Sequence, residues 1–412
     1  MRRGGRRHHA AAMHSPRRDY ETCALIGTGH FLSHFYMLCL PPLFLVWQAE
    51  FGVSFAKLGL AVALMSGTTA LLQTPVGFLV DRHGARPFLV GGTLLMALSV
   101  SAMAFAQDFR VILALAVLSG IGNSVIHPAD YAILAGSVRK EFMGRAFALH
   151  TFTGNLGFAL APPAIAALLL VMGWREALLL VGLLGVPVVG AILWQSRILQ
   201  DQPKRKEAAS GGAALLTSRP ILAFFAFFLL SAMAGSGLQA FLITVLGKLW
   251  FTPVAVASLA LTGYMAGATA GTLVGGWVAD RRGSDLLGFV VVLTLVAIAL
   301  LLSLGWFPWP NLLLPVVAFA AGGCLGASRT PRDVMLKEAC PPGEVGKVFG
   351  FVSAGLPLGG AIVPVPLGWL IDLGHPQLLL PVVAGLLALS LLCAGGARAL
   401  TPTRAPAPQP AE

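Results

Sequence analysis

The sequence predicts an all-α integral membrane protein whose transmembrane helices form two pseudo-symmetric six-helix bundles, and three observations carry that expectation. Of the 412 residues, 57% are hydrophobic and only 11% are charged, too few charges to cover a water-soluble surface of this size. The apolar residues fall in runs of about 20 or more, the length a helix needs to cross a bilayer and about twice that of a barrel strand. The third observation is a repeat. Gly77-Phe78-Leu79-Val80-Asp81-Arg82-His83-Gly84-Ala85-Arg86 returns as Gly276-Trp277-Val278-Ala279-Asp280-Arg281-Arg282-Gly283, each at the rim of an apolar run.

Taken in order, about twelve segments are centred near Leu38, Leu64, Met96, Ala116, Leu160, Leu184, Leu230, Ala266, Leu295, Val317, Gly359 and Leu386. An even number of crossings puts both termini on one side. Of the 28 Lys and Arg, 23 fall on that side, Lys57, Arg110, Arg175 and Lys248 fall opposite, and Arg329 lies inside segment 10. The positive-inside rule then places both tails in the cytoplasm, and the net charge of +11 reads as topology rather than nucleic-acid binding. Residues 1–21 read as a basic, disordered cytoplasmic tail, with Met13 as an alternative start. The apolar run that follows continues for about 25 residues to Trp47, too long for a signal-peptide core and without a small-residue cleavage site, so it stays as segment 1. Cys23, Cys39, Cys324, Cys340 and Cys393 show no metal or redox spacing and read as packing residues.

The polar stretch from Ser196 to Arg219 divides six segments from six, giving bundles at 22–197 and 219–398, a cytoplasmic middle loop at 198–218 and a tail at 399–412. Asp81 matches Asp280, Asp130 matches Asp333 and Pro162 matches Pro364, at offsets of 199, 203 and 202 residues. Such a steady register is a duplication, and transporters built from repeats hold substrate between the halves near the bilayer midplane.

These features resemble the major facilitator superfamily: two six-helix halves, a long middle loop, and Gly-x-x-x-Asp-Arg-x-Gly between segments 2 and 3 and again between 8 and 9. Within it, Ala49-Glu50-Phe51, Ser54-Phe55-Ala56, Leu71-Leu72-Gln73 and Gly120-x-Gly122-Asn123-Ser124-Val125-x-His127-Pro128 are similar to bacterial fosmidomycin-resistance-type exporters. Gly154-x-x-Gly157 to Pro162-Pro163 resembles the Gly-Pro antiporter motif, with Ala161 where that motif has Gly. The resemblance implies alternating access, a bacterial inner membrane, export of a small anionic or amphiphilic compound, no cofactor, and a monomer in contact with lipid.

In the repeated loops, Gly77 and Gly276 are expected to let helices approach closely. Asp81, Arg82, Gly84 and Arg86, with Asp280, Arg281 and Gly283, read as a gate that pairs with helix N-terminal dipoles or other charges. His127-Pro128-Ala129-Asp130 and Thr330-Pro331-Arg332-Asp333 occupy matched positions on segments 4 and 10, where each Pro removes a helix hydrogen bond and makes a hinge. Asp130 and Asp333 obey the symmetry and read as gate charges for loop arginines, with proton carrying as the alternative for Asp130. Arg332 reads as a gate residue.

His127 and Arg329 break the symmetry, as a site for an asymmetric substrate must. An Arg at a helix centre costs about 2.5–3.5 kcal/mol to insert, so Arg329 should face a cavity. There it either binds an anion through its planar fork or pairs with Asp333 one turn on. His30 and His34 share one face of segment 1, which has no carboxylate between Glu21 and Glu50. His34 could therefore carry the coupling proton, hydrogen-bond substrate, or simply pack; His30, His150 and Asp130 are further candidates for the proton. Gln73, His150, Asn155, Gln239 and Tyr264 read as cavity-lining groups or as interhelical glue. No phosphate-binding Gly-x-x-x-x-Gly-Lys-Ser/Thr loop occurs, which excludes ATP as the driver, and scarce intramembrane carboxylates disfavour sodium. The function expected is a proton-coupled secondary transporter and not an enzyme, with uptake of an organic anion such as a carboxylate as the alternative. A membrane metalloenzyme built on His30-x-x-x-His34 and a transport-dead receptor are remote, because His127, His150 and His375 have no partner at ligand spacing along the chain; no metal is expected.

Overall fold

The computed structural model describes residues 16–200, 215–281, 286–340 and 345–400. Among these residues every regular element is helical. The first half contains α1 (Pro16–Leu38), α2 (Phe44–Phe51), α3 (Phe55–His83), α4 (Ala85–Met103), α5 (Phe109–Ser124), α6 (Ile126–Ser137), α7 (Met143–Leu168), α8 (Trp174–Leu183) and α9 (Gly185–Trp194). The second contains α10 (Arg219–Trp250), α11 (Val254–Arg281), α12 (Leu286–Trp306), α13 (Leu314–Ala327), α14 (Arg329–Ala339), α15 (Val345–Ser353), α16 (Gly355–Ile362), α17 (Pro364–Asp372) and α18 (Leu379–Leu400). Eleven of the rods these helices make are long and apolar enough to cross a membrane. The pair α13–α14 supplies the remaining crossing of the expected twelve; the run Ser328-Arg329-Thr330-Pro331-Arg332-Asp333 makes it too polar for that set.

Several rods are broken for one reason. Val125, Leu184, Ser328, Ala354 and Val363 separate consecutive helices, and each lies three residues before a proline: Pro128, Pro187, Pro331, Pro357 and Pro366. A helical proline has no N–H for the carbonyl four residues back, and its ring pushes that carbonyl aside, so the ladder is interrupted one turn upstream. The expected hinges at Pro128 and Pro331 are two of these.

Backbone contact between helices falls elsewhere than the repeated loops suggested. A Cβ added at Gly77 or Gly276 would meet nothing within 4 Å, so neither serves close packing here; both lie on helix ends away from the contacts between the halves. The tight pair is α11 against α13. Gly263, Gly267, Gly271 and Gly275, spaced by four, lie against the backbone of Pro315, Phe319, Gly323 and Ala327, while Gly322 and Gly326 lie against the carbonyls of Tyr264 and Ala268. A side chain at any of these six would overlap main-chain oxygen. In the loop itself, Gly84 at φ 88° makes the one-residue turn from α3 to α4, a conformation glycine adopts without penalty.

The first half is pinned at its ends by ion pairs. At one end Asp19 accepts from the Arg139 side-chain Nε at 2.6 Å and from its backbone N at 3.2 Å, and at the other Glu50 pairs with Arg175 and accepts from Trp174 Nε1. Asp19 is fully buried and α1 begins at Pro16, so the last residues of the expected disordered tail are helical and packed. Arg139 pulls them in.

The halves meet along α3 against α16 and α17, and along α7 against α11. Thr262 Oγ1 donates to the Ala159 carbonyl at 2.7 Å. At the N-terminus of α3 the backbone N–H groups of Phe55 and Ala56 donate to the two carboxylate oxygens of Asp372, at 2.6 and 2.8 Å. Gly59 and Gly368 on facing helices allow the approach, packing on the carbonyls of Pro364 and Phe55. One half thus caps a helix of the other at the end of α3 opposite Asp81. Removing the cap with Asp372→Ala should raise the population with this end open about five- to thirtyfold, the equivalent of about 1–2 kcal/mol. Electron-spin distance measurement between labels at Lys57 and Gln377 would show that growth; an unchanged distribution would mean that the cap does not hold the halves together.

Candidate functional site

A cavity of about 460 Å³ lies between the halves. Met37, Ser66, Thr69 and Phe158 line it from the first half, and the remaining lining residues belong to the second, among them Gln239, Tyr264, Arg329 and Arg332. The wall carrying the arginines is set by the glycine contact of α11 with α13 and by the break at Ser328, after which α14 starts with Arg329. The two arginines differ in their surroundings. Arg332 donates through Nε and Nη2 to one oxygen of Asp333, both at 3.0 Å, and its guanidinium carbon lies 3.8 Å from the Phe228 ring centre. The Arg329 side chain makes no hydrogen bond or ion pair with any described residue, so Asp333 pairs with its neighbour and not with Arg329.

A second polar group lies within the first half. His150 Nε2 and Asp130 Oδ2 are 2.9 Å apart, with side chains 3% and 0% exposed. His30 stacks on His150 with ring centres 3.6 Å apart, and its Nδ1 is 2.8 Å from the His150 carbonyl. That oxygen only accepts, so His30 Nδ1 carries the hydrogen and Nε2 presents a lone pair. The lone pair faces His127 Nε2 at 3.4 Å. His34 lies 4.3 Å from His30 and 5.8 Å from His127 between ring centres. The second oxygen of Asp130 and Nδ1 of both His34 and His127 are buried without a hydrogen-bond partner among the described residues. Gly154 makes room for the cluster, since a Cβ there would fall 2.5 Å from His30 Cε1 and 2.9 Å from His34 Cε1.

Several sequence expectations change in this arrangement. Asp130 faces a histidine and not a loop arginine, because the helix turn after Pro128 points it into the bundle; Asp333, its symmetry mate, is 44% exposed. His127 and His150 have no ligand spacing along the chain, yet the fold brings His127 beside His30 and His34, with one ring nitrogen from each within 4.8 Å of the others. Three imidazoles of this kind are a donor set for a borderline divalent ion, a capacity that chain spacing concealed. Neither His34 nor His127 lines the cavity between the halves, and neither do Asn155 and Gln73. Asp81 and Arg82 are exposed, and Asp81 has no partner among the described residues. Gly283 and the side chains of Asp280 and Arg281 lie outside the described residues. Ser66, Ser231, Ser236 and Thr294 line the cavity and were missed, their only signal being a small hydroxyl within an apolar run.

Comparison with known proteins agrees with this architecture. The sequence profile described as Major Facilitator Superfamily matches residues 26–252 and 222–412. The chain is 24% identical over 398 residues to the "Fosmidomycin resistance protein" of Escherichia coli, covering 93% of this chain and 94% of that one. It is 27% identical over 354 residues to the "Multi-drug resistance efflux pump PmrA" of Streptococcus pneumoniae, covering 82% and 86%. In fold it is similar to the nucleoside transporter NupG, with a TM-score of 0.75 at 14% identity over 91% of this chain and 99% of that one. It is also similar to a bacterial homolog of the human lysosomal transporter Spinster in an inward-facing, unoccupied conformation, with a TM-score of 0.74 at 15% identity over 94% and 98%. The repeated helical halves, the cavity between them and the match along nearly the whole chain make this protein a member of the major facilitator superfamily, a family of membrane transporters and not of enzymes.

Proposed function

We propose that this transporter exports a small anionic or amphiphilic compound by alternating access, driven by the proton gradient, from a bacterial inner membrane with both termini in the cytoplasm. The observation that carries the anion reading is Arg329, a cation without an ionic partner among the described residues, lining a cavity between the halves. A guanidinium in such a place is costly unless a ligand supplies the opposite charge. The names of its efflux-type relatives favour export. The same cavity would serve uptake of an organic anion such as a carboxylate; counterflow against a panel of carboxylates, phosphonates and lipophilic drugs identifies the substrate class, and the direction of accumulation under an imposed pH gradient separates export from uptake.

Proton coupling is supported by the buried His150–Asp130 pair and its neighbours His30, His34 and His127. These groups, with Tyr131 5.2 Å from His150, face one another from α1, α6 and α7. The bundles at 22–197 and 219–398 would rock about the α3–α17 contact, with the two Asp-Arg loops latching the opposite end when it closes. The transporter would act as a monomer.

Arg329→Gln should abolish binding of an anionic substrate by protein in detergent, while Arg329→Lys should keep a remnant, since Lys retains charge but not the planar fork. Unchanged affinity in the Gln variant would make Arg329 a structural residue. Asp130→Asn, His150→Gln and His34→Gln should retain counterflow, which moves no net proton, and lose accumulation driven by an imposed pH gradient in proteoliposomes. Accumulation surviving in all three would remove this cluster from the coupling path. Asp81→Asn and Asp280→Asn should slow transport with normal amounts of protein in the membrane; parental rates in both would end the latch reading.

A further inference from the structure

The charge around the cavity is nearly balanced. Among the described residues, Arg329 and Arg332 are its charged lining groups, and no carboxylate lines it. They lie one turn apart on α14, so two free guanidinium groups would favour a ligand with two negative charges. Arg332 is not free: its Nε and Nη2 meet one oxygen of Asp333 and one face covers Phe228, so its charge is balanced within the protein and its Nε–Nη2 edge is occupied. With Asp333 counted, a single positive charge faces the ligand. A second anionic group would be taken from water without a partner, and a cation would meet Arg329 unopposed.

The uncharged lining points to the body of the ligand. The hydroxyls of Thr69, Ser328 and Ser390 are committed to backbone carbonyls. Ser66, Ser231, Ser236, Gln239, Tyr264 and Thr294 also line the cavity, and their side chains make no hydrogen bond with any described residue. A wholly apolar ligand would cover these groups and leave them unpaired, at a cost for each; a hydroxylated one can meet them.

We propose that the cavity selects a hydroxylated organic anion carrying one negative charge, of the sugar-acid type, and that Asp333 sets this limit by neutralising Arg332. The inference rests on the reading of this cavity as the substrate site. It makes Asp333 a specificity residue that need not touch the ligand, acting instead through its neighbour.

Three six-carbon probes separate the terms: gluconate with one carboxylate, glucarate with a carboxylate at each end, and hexanoate with one carboxylate and no hydroxyls. Binding is measured by calorimetry on the purified full chain. Gluconate should bind about tenfold or more tighter than either of the others. Asp333→Asn should improve glucarate relative to gluconate by about tenfold, and Arg332→Gln should shift that ratio the other way, so the test survives if one variant fails to fold. Glucarate binding as tightly as gluconate, or a ratio that neither variant moves, overturns the charge balance. Hexanoate binding as tightly as gluconate overturns the hydroxylated body. Failure of all three probes to bind the parental protein overturns the sugar-acid class; if phosphonates and other carboxylates also fail to bind, the anion reading of the cavity falls with it.

Discussion

The close contact of α11 with α13 fixes one wall of the cavity between the halves. Lipid offers no hydrophobic drive for helices to associate, so close backbone packing must do it. Here a four-residue spacing of Gly263, Gly267, Gly271 and Gly275 removes every Cβ that would hold the helices apart. With α13 held in this way, the break at Ser328 sets the direction of α14 and delivers Arg329 to the cavity. An arginine costs about 2.5–3.5 kcal/mol to insert at a helix centre, and that cost is lessened where it faces an opening between the halves. Placement comes from glycine and proline; the charge follows.

Duplication then supplied two copies of one device, which the halves have put to different use. The breaks before Pro128 and Pro331 occupy matched positions. In the first half the turn that follows carries a buried Asp130 bonded to His150 inside a group of histidines. In the second it carries Arg329, Arg332 and a half-exposed Asp333. The groups proposed here for proton coupling and for substrate binding thus include residues that follow equivalent helix breaks of opposite halves. A swing of one half against the other about the Asp372 cap would move both together, which is the geometric requirement for linking proton movement to substrate movement.

Most of the fold was legible because it depends on properties that run along the chain. Apolar run length marked the crossings, the Asp-Arg loops marked the duplication, and Pro128 and Pro331 marked the hinges. The site was less legible because its contacts join distant segments. His30 lies 97 residues before His127 and 120 before His150, so ligand spacing along the chain could not reveal them as a group. Symmetry misled at Asp130 and Asp333, which share a position and have different neighbours. Asp372 gave no signal as a lone acid at the end of an apolar run, although it caps a helix of the other half. Gly77 and Gly276 were credited with packing on the strength of their motif, while the glycines of α11 that pack lie 1, 5, 9 and 13 residues before Gly276.

The central claim is that an anionic substrate supplies the partner Arg329 lacks within the protein. The most direct measurement is a structure of the protein with a brominated hydroxy-acid, located by anomalous scattering from the bromine. The account predicts bromine density in the cavity between α3, α10 and α14, with the carboxylate within hydrogen-bond distance of Arg329 and Arg332 still paired with Asp333. Bromine density elsewhere, with Arg329 engaged by a carboxylate of the protein itself, would contradict it.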